Sequence, residues 1–336
     1  MSRPTYSFVI PIHDEEQTLP ELATRLQAVM QRLDGSAEVI LVDDGCRDGS
    51  PALMRAIHAR DPRFRIIELS RNFGHQLAIT AGLDHARGDA VVIMDGDLQD
   101  PPEVALELAA KWREGYEVIT AVRDERRGES WFKRTRSALY YRILRRLASV
   151  PIPLDAGDYR LVDRKALDAF KGLREKDRFV RGMFSWVGFR QAEVGFVRAE
   201  RFAGETKYPL HRLVELALDG LLSFSNVPLR LILKLGILVS AVSFLGGLLA
   251  VACKLTGVYV ITGWTSMVLA IFFLGGVQLT VMGLIGEYIG RIYEQVKNRP
   301  LYIVRNLLGF SYESTAEEEL TMAALDAVGR PREVAR

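Results

Sequence analysis

Residues 95–102 read Asp-Gly-Asp-Leu-Gln-Asp-Pro-Pro, which sets two carboxylates one residue apart and an amide oxygen, that of Gln99, close behind. Hard oxygen donors in that spacing suit a divalent cation and leave coordination positions open for phosphate, so a metal-bound pyrophosphate is one partner the octapeptide fits. It equally fits an Asx-type turn that opens a helix, with Glu103 favoured in the first turn. The residues before it bear on that choice. Residues 90–94 form an apolar, β-branched run that reads as a buried strand, so the acids stand where a strand leaves its sheet.

The segments around that strand repeat one pattern. An apolar strand at residues 6–12 ends in His13-Asp14-Glu15-Glu16 and is followed by Leu19, Leu22, Leu26, Val29 and Leu33 at helical spacing. Strands at 39–42 and 65–69 end in Asp43-Asp44-Gly45 and Arg71-Asn72, with helices at 50–59 and 76–85 after them. Strands alternating with helices predict an α/β fold with a mostly parallel sheet, whose ligands bind outside the carboxyl ends of the strands. Four successive ends carry polar or acidic groups, which points to a nucleotide crevice. Neither GxGxxG nor GxxxxGK[ST] occurs, so phosphate here needs a cation rather than a glycine-rich backbone cradle. A helix at 103–112 and a strand at 118–122 continue the pattern. Pro151 and Pro153 then mark residues 155–161, Asp-Ala-Gly-Asp-Tyr-Arg-Leu, as loop, before a helix at 178–186 and a strand at 191–197.

The chain has 336 residues, a formal charge of +2 and two cysteines, which gives no electrostatic bias toward nucleic acid and no disulfide or zinc-finger framework. No apolar leader precedes the first strand, so no signal peptide is expected. The 49% hydrophobic content is unevenly spread: residues 235–286 carry a single charge, Lys254. Two uncharged runs, 235–253 and 264–286, each suffice to cross about 30 Å of hydrocarbon. Arg212, Arg230 and Lys234 precede the first and Arg291, Lys297 and Arg299 follow the second, which places the rest of the chain on the cytoplasmic side. Residues 210–226 have the amphipathic pattern of a helix lying in the membrane interface. The expected domains are therefore 1–209 cytosolic, 210–228 interfacial, 229–290 a transmembrane hairpin and 291–336 a cytosolic tail. Gly246-Gly247 and Gly275-Gly276 offer surfaces for a homo-oligomer.

Residues 10–16 (Ile-Pro-Ile-His-Asp-Glu-Glu), 42–45, 69–74 and 95–102, in that order and spacing, resemble family 2 glycosyltransferases of the GT-A fold. Within that family the chain is most similar to polyisoprenyl-phosphate glycosyltransferases, the group of dolichol-phosphate mannose synthase and the bacterial bactoprenol glucosyltransferases. The resemblance implies that Pro11, His13, Glu15 and Asp44 line the base and ribose, and that Asp95, Asp97 and Gln99 hold Mg²⁺ or Mn²⁺. It further implies that Arg201 and Lys207, on a loop closing over the donor, meet its pyrophosphate. Arg123, Lys133 and Ser137 would grip the acceptor phosphate; the last two lie four apart and so share a helix face. Asp158 matches the acid of a Gly-Asp-Phe-Arg motif and is expected to orient the acceptor and sugar, to act as base, or to cap a loop. Departures occur at His13-Asp14, where the family commonly has Tyr-Asn, at Cys46, where it has Ser, and at Tyr159, where it has Phe.

The expected activity is inverting, metal-dependent transfer of a sugar from a nucleotide sugar, with UDP-glucose the leading donor, to undecaprenyl phosphate at the cytoplasmic membrane for cell-envelope glycan modification. GDP-mannose or a UDP-amino sugar is an alternative donor. A processive polysaccharide synthase would need Gln-x-x-Arg-Trp, and no tryptophan here follows arginine. A membrane scaffold or translocase with a non-catalytic nucleotide fold is the competing class.

Overall fold

The computed structural model describes residues 3–123, 156–176, 178–197 and 263–310, with isolated positions between 234 and 256. Strands β1 (Tyr6–Ile12), β2 (Ala37–Asp43), β3 (Phe64–Leu69) and β4 (Ala90–Ile93) alternate with helices α1 (Leu19–Arg32), α2 (Ser50–Arg60) and α3 (His75–His85), as the periodicity predicts. Helix α4 (Val104–Arg113) and strand β5 (Val118–Arg123) follow. Then come β6 (Ala156–Asp163), α5 (Arg164–Lys171), α6 (Val180–Trp186), β7 (Gln191–Phe196), α7 (Trp264–Val296) and β8 (Val304–Leu308). The eight strands form one sheet in the order β7-β5-β6-β4-β1-β2-β3-β8.

The sheet is mixed. β1 pairs in parallel with β2 and β4, β2 with β3, and β5 with β7, whereas β6 runs antiparallel between β4 and β5, and β8 runs antiparallel along β3. Two expectations are corrected here. Residues 156–161 are not loop but the start of a central strand, because every second side chain of β6 enters an apolar layer. The expected tail from 291 onward contributes an edge strand: Asn306 Nδ2 donates to Glu68 Oε2 at 2.7 Å, and Arg305 donates to the Ser70 carbonyl.

Strand alternation splits the core into two layers. Tyr6, Phe8, Ile10, Ile12, Tyr159 and Leu161 face α1 and α4, while Val9, Val42, Ile93 and Val162 face α3, α5 and α6. Burying such side chains stabilises by about 1.5–3 kcal/mol each. Gly82 lets α3 lie close on β1, since a Cβ there would come 2.3 Å from Val9 Cγ1. Asp163 ends β6 and caps α5, its side chain accepting from the Lys165 N–H at 2.8 Å.

Helix α7 has 33 residues and extends past the span expected to end at 286. At about 1.5 Å per residue it is longer than the hydrocarbon core is thick. The stretch long and apolar enough to cross a membrane is Phe273–Val296, none of it buried, and it is the single such helix among the described residues. The first expected span is described only at scattered positions between 236 and 252, all of them helical, and the interfacial helix lies wholly outside the described residues. The end of α7 docks on the loop after α5, where Gln295 Oε1 accepts from the Lys176 N–H at 2.9 Å. Tyr302, two residues before β8, donates to Asp84 Oδ2 at 2.8 Å. Helix and sheet are thereby joined.

Candidate functional site at the carboxyl ends of the strands

β4 ends at Ile93 and delivers Asp95 and Asp97 to the carboxyl edge of the sheet, where a turn reverses the chain. Asp97 Oδ1 accepts from the Gln99 N–H at 3.0 Å, and Leu98 takes a left-handed φ of 58°. An Asx-type turn is therefore present, but it leaves the acids unspent: Asp95 Oδ1 is buried without a hydrogen-bond partner. Burial pushes the Asp95 carboxyl above its usual range; His75 acts against this, and Asp158 and Asp97 add to it. Gly96 permits the tight approach, since a Cβ would lie 2.8 Å from Ile12 Cδ1. From β6, the fully buried Tyr159 donates to the Pro101 carbonyl at 2.9 Å and so anchors the turn. That hydroxyl is what Tyr adds over the Phe of the related motif.

Asp158, the neighbour of Tyr159, points to the other face of β6 and is 1% exposed. It collects donors. Arg181 Nε meets Oδ1 at 2.8 Å and Arg181 Nη2 meets Oδ2 at 3.1 Å, while Gln76 Nε2 and His75 Nε2 reach Oδ2 at 3.2 and 3.1 Å. Gln76 is itself fixed, its Oε1 accepting from the Val180 N–H at 2.9 Å. Burial opposes the charge on Asp158, yet the hydrogen bonds and charges of His75 and Arg181 overcome it and hold the carboxyl far below its usual range. His75 Nε2 also stands 3.4 Å from Asp95 Oδ1, so it bridges the two acids. Burial disfavours the imidazolium, but Asp158 and Asp95 outweigh it and raise the His75 pKa.

His75 thus stands between Asp95 and Asp158, Arg181 pairs with Asp158, and Asp97 adds a third carboxylate near Asp95. A buried carboxylate oxygen that accepts no hydrogen bond, in an acid-rich, hard-oxygen donor set, fits a divalent cation. His75, Gln76 and Arg181 are absent from the sequence reading. The signal for the first two was their place directly after the Arg71–Gly74 strand end; Arg181 had none, because only the insertion of β6 beside β4 brings it to Asp158.

The remaining expected residues fall into two groups. Pro11 lies in β1, and both Asp44 oxygens accept backbone N–H groups, from Phe73 at 2.7 Å and Gly74 at 3.0 Å, so Asp44 holds the loop after β3. Burial nevertheless keeps its carboxyl raised. Glu15 ties the first loop together, its N–H donating to Ser50 Oγ at 3.0 Å and its Oε2 accepting from Thr18 at 3.0 Å. The His13 ring is 46% exposed beside Asn72. Arg123 ends β5, whereas Lys133, Ser137, Arg201 and Lys207 lie outside the described residues.

Residues 7–170 match the model of glycosyl transferase family 2. A relative from Bacillus subtilis, the glycosyltransferase YkcC, is 49% identical over 90% of this chain and 94% of its own length. The SfII prophage-derived bactoprenol glucosyl transferase of Shigella flexneri is 38% identical over 89% of this chain and 97% of its own. The chain belongs to glycosyltransferase family 2. Within the family it groups with the bactoprenol glucosyl transferases, which it matches over nearly their full length. In this glycosyltransferase the Asp95–Gln99 turn and the Asp158 cluster lie at the strand ends where an α/β sheet binds its ligands.

Proposed function

We propose that this glycosyltransferase transfers glucose from UDP-glucose to undecaprenyl phosphate at the cytoplasmic membrane face, with inversion and in dependence on Mg²⁺ or Mn²⁺. One observation carries the reading: a buried carboxylate oxygen of Asp95 that accepts no hydrogen bond and stands beside Asp97, at the carboxyl end of β4 in a chain similar along its length to bactoprenol glucosyl transferases. Asp95, Asp97 and Gln99 would hold the divalent cation. When bound, it neutralises charge on the donor diphosphate and on the departing nucleotide.

The acceptor phosphate oxygen forms the new bond to the anomeric carbon as the bond to the nucleotide diphosphate breaks. A phosphate monoester, with a second pKa of about 6, is already largely ionised near neutral pH and needs no strong base. Asp158 is poorly suited to take a proton, because four donor contacts stabilise its anion. We assign it instead to holding His75 and Arg181 in place beside Asp95, where their positive charge faces an incoming phosphate. Pro11, His13, Glu15 and Asp44 are proposed to border the base and ribose, and Arg201 and Lys207 the pyrophosphate. Arg123, Lys133 and Ser137 are assigned to the acceptor phosphate.

A lipid acceptor keeps its phosphate at the bilayer surface. The exposed, apolar helix α7 and the run at 235–253 are proposed as the spans of a membrane hairpin, with the residues before 229 and after 290 cytoplasmic. The test uses purified full-length protein in detergent with undecaprenyl phosphate, Mg²⁺ or Mn²⁺, and a panel of nucleotide sugars. A glucosyl lipid found by mass spectrometry with UDP-glucose, and lost in Asp97→Asn, is expected. Turnover of GDP-mannose or a UDP-amino sugar in its place would correct the donor, and no turnover of any donor by folded protein would favour the scaffold.

A further inference from the structure

The loops after β1 and β2 bring together His13, Asp14 and Cys46, whose ligand atoms all lie within 4.8 Å of one another. We propose that these three residues form a site for a soft divalent cation of the zinc type, separate in its residues from Asp95 and Asp97, whose occupation weakens nucleotide binding. Thiolate, imidazole and carboxylate are a zinc donor set; hard cations such as Mg²⁺ take oxygen instead.

Each of the three residues is also held through an atom that a cation would not use, Cys46 by its N–H, which donates to Asp43 Oδ1 at 2.8 Å. His13 Nδ1 lies 3.0 Å from the Asp44 carbonyl, a contact that fixes the N–H on Nδ1 and leaves the lone pair on Nε2. Nε2 in turn stands 3.9 Å from Asp14 Oδ2. Asp14 Oδ1 accepts from the Arg47 N–H at 2.7 Å, so its second oxygen is the one presented. Asp14 also has a left-handed φ of 57°, which Asp tolerates better than most residues. Its own N–H donates to Cys46 Sγ at 3.4 Å, while burial and the nearby Asp43 push the thiol pKa well above its usual range, so a cation must displace the proton.

Zinc bonds of about 2.0–2.3 Å require the three ligand atoms to close by roughly 1 Å from their present separation. His13 and Asp14 are nearly half exposed and can rotate to do so. Two contacts would be given up, that of Asn72 Nδ2 to His13 Nε2 at 3.2 Å and that of Cys46 Sγ to the Ile12 carbonyl at 3.4 Å. Cation binding replaces the thiol proton, which passes to solvent.

His13 and Asp14 follow β1 and Cys46 follows β2, so residues 32 apart in sequence, Asp14 and Cys46, converge on one point. A cation on them would pin His13 next to Asp44. That consequence for the nucleotide rests on the proposed function, whereas the cation site does not.

The experiment uses metal-free full-length protein in detergent with Mg²⁺ in excess, titrated with Co²⁺ as a spectroscopic stand-in for zinc. One Co²⁺ with thiolate charge-transfer absorption, displaced by Zn²⁺, is expected for the wild type and for Cys253→Ala. Cys46→Ser, checked by thermal unfolding, should lose the absorption and bind Zn²⁺ more than about tenfold more weakly, since losing even an outer partner of a ligand costs about 10–100-fold. Absence of the absorption in the wild type, or its survival in Cys46→Ser, overturns the site. Zn²⁺ should weaken UDP binding, measured by calorimetry, in the wild type but not in Cys46→Ser. Equal UDP affinity with and without Zn²⁺ overturns the inhibitory role, while failure to bind UDP in metal-free protein with Mg²⁺ counts against the proposed function instead.

Discussion

Replacing Asp158 by Asn separates two roles for this acid, because the structure makes it a buried strut rather than a proton acceptor. The change removes the counter-charge of Arg181 and turns one oxygen of the group into an N–H donor facing other donors. Breaking a buried ion pair costs about 3–5 kcal/mol. The Arg181 side chain is 35% exposed, and solvent at the guanidinium brings the expected loss down to about 2–3 kcal/mol. At about 2–4 °C per kcal/mol for a domain of this size, Tm should fall by about 4–12 °C. The depressed pKa gives the sign of the pH dependence: the carboxylate's contribution is complete above its unfolded pKa of about 3.9 and is lost as pH falls through the lower folded value. Wild type and variant should therefore differ by a constant amount from about pH 5 upward and converge only in acid. Thermal unfolding of full-length protein across pH, with turnover measured alongside, gives both readouts. An Asn variant that melts with the wild type while its turnover collapses would refute the strut and make Asp158 the base.

Asp95→Asn should do the opposite to stability, because burial already disfavours the Asp95 charge; without added cation Tm should hold or rise, while Mn²⁺ binding followed by paramagnetic resonance is lost. Retained Mn²⁺ affinity would remove Asp95 from the ligand set. Gly45→Ala meets a left-handed φ of 69° and places Cβ 2.5 Å from the Asn72 backbone N, so the denaturant midpoint should report a loss of about 1–3 kcal/mol. Burial pushes Glu68 up, but hydrogen bonds from Asn306 and Arg55 hold it below its usual range. Its hold on β8 is complete above the ordinary Glu value of about 4.3 and fails as pH drops through the lowered one. Hydrogen exchange of Val304–Leu308 should then accelerate in acid in the wild type, beyond the intrinsic rate, and show no such step in Glu68→Gln.

The parallel half of the fold was legible because β1 to β4 are continuous apolar runs between helices of regular period. β6 was not. Its sequence, Ala-Gly-Asp-Tyr-Arg-Leu-Val-Asp, puts two charged residues on the face that meets α3 and α6. Their charges are met by Arg181, His75 and backbone carbonyls, partners that hydrophobic periodicity does not register. Arg160 shows the cost: burial draws its pKa down to about 10, with Asp158 opposing. β8 escaped notice because five residues after a long apolar helix carry too little pattern, and their pairing with β3 spans most of the chain. In the site, Asp95, Asp97 and Gln99 fall within five residues, so the sequence alone groups them. The convergence of His75, Gln76 and Arg181 on Asp158 is tertiary, made by strand order rather than spacing.

The most direct measurement is the initial rate of glucosyl-lipid formation from UDP-glucose and undecaprenyl phosphate as Mg²⁺ is raised from zero in chelated, full-length protein. A rate that starts at background, saturates with cation and vanishes in Asp97→Asn is expected. A cation-independent rate, unchanged in Asp97→Asn, would contradict the assignment of the Asp95–Gln99 turn as the cation site.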